Sequence, residues 1–122
     1  MGRMLTKLSI LMAAAALPTA ALAGGWQQLG AQGSRHFVLV DPASAGDASV
    51  YREAASNLCT QGKPCVVLYW TDAGKAGSGM PLSRAQSEAV VAQLRRNPAT
   101  GQDELLERCG NGNASPRCLK AP

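Results

Sequence analysis

Large aromatic side chains are scarce: two Trp, two Tyr and one Phe in 122 residues. Aromatic residues carry much of the buried area of a small core, so this chain has to lean on aliphatic packing and on cross-links. It has a single histidine, His36. No motif sets a Ser or Cys nucleophile beside it, which leaves His36 a weak candidate for a general base. There is no Cys-x-x-Cys pair and no four-ligand zinc spacing, so neither a redox dithiol nor a metal site is expected. The P-loop order Gly-x-x-x-x-Gly-Lys-Ser/Thr is also missing, and no cofactor is implied. Nor does any apolar run reach the roughly 20 residues that span a bilayer.

What is present begins with an export pattern. Residues 1–7 carry Arg3 and Lys7 but no acid, and residues 8–20 are apolar except for Ser9, Pro18 and Thr19. Ala21-Leu22-Ala23 then fits the small-x-small rule for signal-peptidase cleavage. The pattern predicts a cleaved signal over 1–23, a single domain over 24–122, and no stable membrane anchor after cleavage. The expected location is periplasmic or secreted. Cleavage removes two of the 12 basic residues and none of the 8 acids, so the formal charge falls from +4 to +2. That balance is too mild to argue for nucleic acid, which needs a concentrated basic face.

The cysteines fit an exported chain. Small secreted domains supplement thin cores with disulfides, and all four cysteines, Cys59, Cys65, Cys109 and Cys118, lie beyond the cleavage point. Three connectivities are possible. The preferred one is Cys59–Cys65 with Cys109–Cys118, because each pair flanks a turn containing Gly and Pro.

Residues 65–72, Cys-Val-Val-Leu-Tyr-Trp-Thr-Asp, organise the rest. Their five consecutive apolar residues leave no polar face, as in a strand covered on both sides, which is more typical of parallel sheets. A second strand, residues 37–40, also ends in an acid, Asp41, and Pro42 stops it. Between the two, Asp47 can cap a helix. Its stripe of Val50, Tyr51, Ala54, Ala55 and Leu58 opposes Arg52, Glu53, Ser56 and Asn57. Residues 83–86 have capping-box spacing and predict a second helix running to Arg96, with Pro98 marking its stop. A short C-terminal helix is expected over 102–109, with Glu104 and Arg108 paired four apart. Residues 26–29 are a candidate edge strand, and 110–122 a loop-like tail. The expected fold is a small α/β (or α+β) domain: a βαβ core of two to three strands, two main helices, a short third and two disulfides.

Candidate chemistry is sparse. If the two strands lie side by side and parallel, Asp41 and Asp72 emerge together at their carboxyl edge, where open α/β sheets place ligands. Two carboxylates there could hold a divalent cation or share a proton. The simpler reading makes both of them turn residues. Lys75 opens a Gly-rich loop, residues 74–79, that precedes a helix start but reads as a connector. Trp70, Asp72 and Lys75 are the expected binding contacts. Asn113-Ala114-Ser115 matches the glycosylation sequon, with Pro116 directly after it.

Together these features read as an exported, disulfide-stabilised protein of non-enzymatic binding type, whose partner is a protein or small ligand outside the cytoplasm. A small hydrolase built on Asp41 and Asp72 is the alternative. A further one is an accessory subunit of an envelope complex.

Overall fold

In the computed structural model, residues 22–110 and 117–120 are described. The expected signal peptide, nearly all of it before residue 22, and the 113–115 sequon lie outside them. Five strands form one sheet in sequential order: β1 (Trp26–Gln32), β2 (Arg35–Val40), β3 (Cys65–Trp70), β4 (Ala92–Asn97) and β5 (Gln102–Glu107). Two helices join them, α1 (Ala48–Leu58) and α2 (Arg84–Ala89). β2 and β3 are parallel, and every other neighbouring pair is antiparallel.

This overturns the expected core. The described residues are mostly sheet, five strands and two helices, instead of a βαβ unit of two to three strands with three helices. Two segments account for the difference. Ser83 and Gln86 do form a capping box, but α2 ends at Ala89 and Val90 turns extended, at φ −60° and ψ 125°. From there the residues alternate: Ala92 and Leu94 are buried, while Gln93 and Arg95 face the other way. That period of two suits a strand, and β3 and β5 supply hydrogen-bonding partners on either side. The second segment, residues 102–109, holds β5 in place of a helix. Its Glu104 contacts Arg117, and Arg108 is occupied elsewhere.

Local signals decide the remaining boundaries. The Asp47 carboxylate accepts the Ser49 N–H at 3.0 Å and starts α1. Gly33, at φ 58°, takes the first of the two positions between β1 and β2, where mirror-image hairpin turns require positive φ. Both disulfides pair as preferred, Cys59–Cys65 and Cys109–Cys118.

Alternation along the strands gives the sheet two faces. α1 covers the first, packing Val50, Tyr51, Ala54 and Ala55 on Val38, Val40, Val67 and Tyr69. The Tyr51 hydroxyl donates to the Ala45 carbonyl, and the Tyr69 hydroxyl donates to that of Tyr51, each at 2.7 Å. Burial, with a smaller contribution from Glu107, pushes Tyr51 up to about 12, and burial raises Tyr69 as well. Tyrosines of the unfolded chain ionise near pH 10, before the folded ones do. The unfolded state therefore loses protons first, so stability is full below about pH 10 and falls as pH rises toward 12. The chain has no other tyrosine. Tyrosinate absorbance should thus stay flat through pH 10 and then rise together with unfolding; an ordinary titration centred at pH 10 in a folded protein would contradict this packing.

The second face has a thinner cover, made by residues 76–82 and α2 over Phe37, Leu68, Trp70 and Val90. A bulge between Gln28 and Gly30 turns Leu29 onto this cluster and sets Gly30 opposite Phe37. A Cβ on Gly30 would stand 2.2 Å from the Ser78 carbonyl oxygen, so only glycine lets the covering segment seat on β1. Gly30→Ala should cost about 1–3 kcal/mol in chemical denaturation, as overpacking does. An unchanged midpoint would mean that this segment is not seated there.

Candidate functional site

The second cover stops short of the amino end of β3. Beyond Met80 the sheet is open, and a groove of about 540 Å³ lies over Val66 and Leu68. Leu68 and Gln93 also line a smaller hollow of about 180 Å³ that reaches Val90, Arg108, Leu119 and Lys120. The two hollows make one continuous depression along β3 and β4. Met80, on its rim, is the large apolar side chain most clearly left in solvent, at 41% exposure.

Strand register sets the floor. Arg35 pairs with Val66, Val66 with Arg95 and Arg95 with Glu104, so these four form one row on this face. The next row is Phe37, Leu68, Gln93 and Leu106. Neighbouring strands lie ~4.8 Å apart, which places the Arg35 and Arg95 backbones roughly 10 Å apart on either side of Val66.

The arginines differ in how they are used. Arg52 and Arg96 reach Asp103, Arg84 reaches Glu88, and Arg117 meets Glu104. Arg108 is spent on backbone: it donates to the carbonyls of Val90, Ser87, Glu88 and Lys120. These bonds cap the carboxyl end of α2 and hold the C-terminal segment beside β5, where Leu119 bridges Arg108. Arg35 and Arg95 have no ion pair among the described residues, and both are exposed. Four cationic residues of this face, Arg35, Arg95, Arg108 and Lys120, line the depression, and no acid does; the Arg96 side chain turns to Asp103 on the other face.

The residues singled out from the sequence lie elsewhere. Asp41 and Asp72 follow the carboxyl ends of the parallel strands, each two positions beyond the last register pair, Leu39 with Trp70. Each carboxylate is engaged in starting its own turn: Asp41 accepts the Ala43 N–H at 3.0 Å, and Asp72 accepts that of Gly74 at 2.9 Å. Among the described residues no three His, Cys, Asp or Glu side chains gather as a cation site. His36 lies on β2 with Nδ1 3.2 Å from the Gln28 amide, and burial lowers its pKa. Lys75 ends a single 3-10 turn, Ala73–Lys75, in solvent. Trp70 is fully buried, so it serves as an internal anchor and offers no surface for contact. Its ring stacks on Phe37 at 6.1 Å, and its Nε1 donates to the Gln86 carbonyl at 2.8 Å.

Sequence reasoning missed Arg35, Arg95, Gln93 and Met80. The one available signal was the alternation of residues 92–95, which marks Gln93 and Arg95 as sharing a face once the segment is read as a strand.

Fold and groove define a class: a disulfide-stapled mixed sheet with one face sealed by a helix and the other partly open. Comparison with protein-family models, curated proteins and solved structures gives no match. The two disulfides suit an oxidising environment outside the cytoplasm. Among the described residues no helix is long and apolar enough to cross a membrane.

Proposed function

We propose that this chain is an exported binding module, working in the periplasm or outside the cell, and that the open face of its sheet is the binding surface. The single observation that carries this reading is the groove over Val66 and Leu68, with Arg35 and Arg95 beside it and without an ion pair among the described residues. A domain of this size has little incentive to leave a half-buried Val66, an exposed Met80 and two guanidiniums in an open groove unless something occupies it. The hydrolase reading draws no comparable support, since both strand-end carboxylates are taken up by their own turns. An accessory subunit of an envelope complex would be the same module with a resident partner.

The test begins with compartment. The full chain should be recovered outside the cytoplasm, with a mass that starts at Gly24 and no titratable thiol after denaturation without reductant. Recovery inside the cell, uncleaved and with four reactive thiols, would remove the basis for an exported module.

A further inference from the structure

The geometry points to a specific occupant for this groove: an extended acidic peptide segment, with one carboxylate held between Arg35 and Arg95 and an apolar side chain laid against the exposed Met80, at the edge of Leu68. The inference rests on the proposed binding role and names the partner's chemistry.

Charge complementarity is the first argument. The mature chain is expected to carry only +2, yet the depression gathers four cations and no acid. Of these, Arg108 is occupied by backbone carbonyls, and Lys120 lies at the far end of the depression beside Leu119. Arg35 and Arg95 have no ion pair among the described residues. Glu104 ends their row, but it is engaged by Arg117. Planar guanidinium groups match carboxylates bidentately, and two of them flanking one apolar residue make a clamp for a single carboxylate over Val66.

The lining selects a peptide. Around the clamp, the lining combines apolar Val66 and Leu68 with the amides of Gln93, beside Leu68, and of the Asn97–Gln102 pair beyond Arg95. Amides can both donate to and accept from a peptide backbone, whereas an acyl chain has no use for them. The depression is also open along its length instead of enclosing its contents. Nucleic acid fits poorly, because single strands bind through exposed aromatic platforms and the rings on this face, Phe37 and Trp70, are fully buried.

The probes are two fluorescein-labelled octapeptide pools, one alternating Asp or Glu with Leu or Phe, the other with Asn or Gln in place of the acids. They are titrated into the oxidised protein by anisotropy, with an anionic phospholipid vesicle and an oligothymidylate as competing candidates. The acidic pool should bind saturably, at least tenfold more tightly than the amide pool, and should weaken as salt is raised. The exposed double variant Arg35→Gln/Arg95→Gln, checked for an unchanged melting temperature, should lose at least tenfold. Amide shifts in an NMR titration should centre on Val66, Leu68 and Gln93. Equal binding of the two pools, an unaffected double variant, preference for the vesicle or the oligonucleotide, or no binding by the acidic pool would each overturn the assignment. Export and oxidation are measured separately, so failure here is distinguishable from failure of the exported, disulfide-bonded reading.

Discussion

Trp70→Ala should be the most damaging single substitution in the chain, costing about 3–5 kcal/mol. Small domains have only about 5–15 kcal/mol in total, so the variant should melt on the order of 20 °C lower or fail to fold. The reason lies in how many pieces meet on one ring. Trp70 is 0% exposed and stacks on Phe37. It bonds the Gln86 carbonyl, and a Cβ on Gly77 would stand 3.4 Å from its ring. Gln86 in turn is the far half of the α2 capping box. Removing the ring leaves a cavity, unseats the covering segment and strips a carbonyl of its donor at once. Trp70→Phe separates these contributions. It keeps most of the stacking and loses the hydrogen bond, for about 1–2 kcal/mol. Urea denaturation followed by circular dichroism reads both. A Trp70→Ala midpoint within error of the parent would show that the second face is not packed as described.

Replacing Cys59 and Cys65 together by alanine should cost about 2–4 kcal/mol. Chain entropy alone accounts for about 2–3 kcal/mol, because the loop closed by a bond between residues 6 apart is short. Lost packing adds to this, since Cys65 is 2% exposed and belongs to the core under α1. The bond also ties the end of α1 to the start of β3, the handover that sets the parallel β2–β3 register. The equivalent Cys109/Cys118 variant should lose less, because that bond restrains the C-terminal segment beside edge strand β5, where the chain can fray without opening the core. Comparing the urea midpoints of the two double variants checks both the size and the order of the effects. Equal losses would mean that the C-terminal segment is as integral as the α1–β3 junction.

The segment from Ser83 to Asn97 shows where local reading succeeds and where it stops. A capping box is a contact between neighbours three residues apart, and it forms where its spacing says. The length of the helix behind it is not local. Val90 and Val91 favour extended backbone, and β3 and β5 offer ladders that a helix would leave unpaired. Residues 102–109 give the same lesson, because Glu104 and Arg108 at four apart suit a helix until a strand partner is available. A helix running to Arg96 would have put Arg95 and Arg96 together in its last turn. In the sheet they point to opposite faces, Arg96 to Asp103 and Arg95 to the groove.

The candidate site was less legible still. Arg35 and Arg95 are far apart in the chain and become neighbours of Val66 only through the parallel β2–β3 pairing and the antiparallel β3–β4 pairing. Trp70 and Asp72 drew notice as a prominent aromatic and acid, but one is core and the other caps a turn.

By itself the amino-acid order determined what depends on near neighbours: the cysteine pairing across two turns, the Asp47 and Ser83 caps, the stripe of α1, and a β3 strand with no polar side. Those outcomes follow from a handful of adjacent side chains and backbone groups. Only the tertiary structure decided that β4 and β5 are strands and that one face of the sheet stays partly bare, because those outcomes depend on hydrogen bonds and burial shared between remote segments. It also turned a weak net charge into a locally cationic groove, since net charge counts residues and a binding surface depends on where the sheet register puts them.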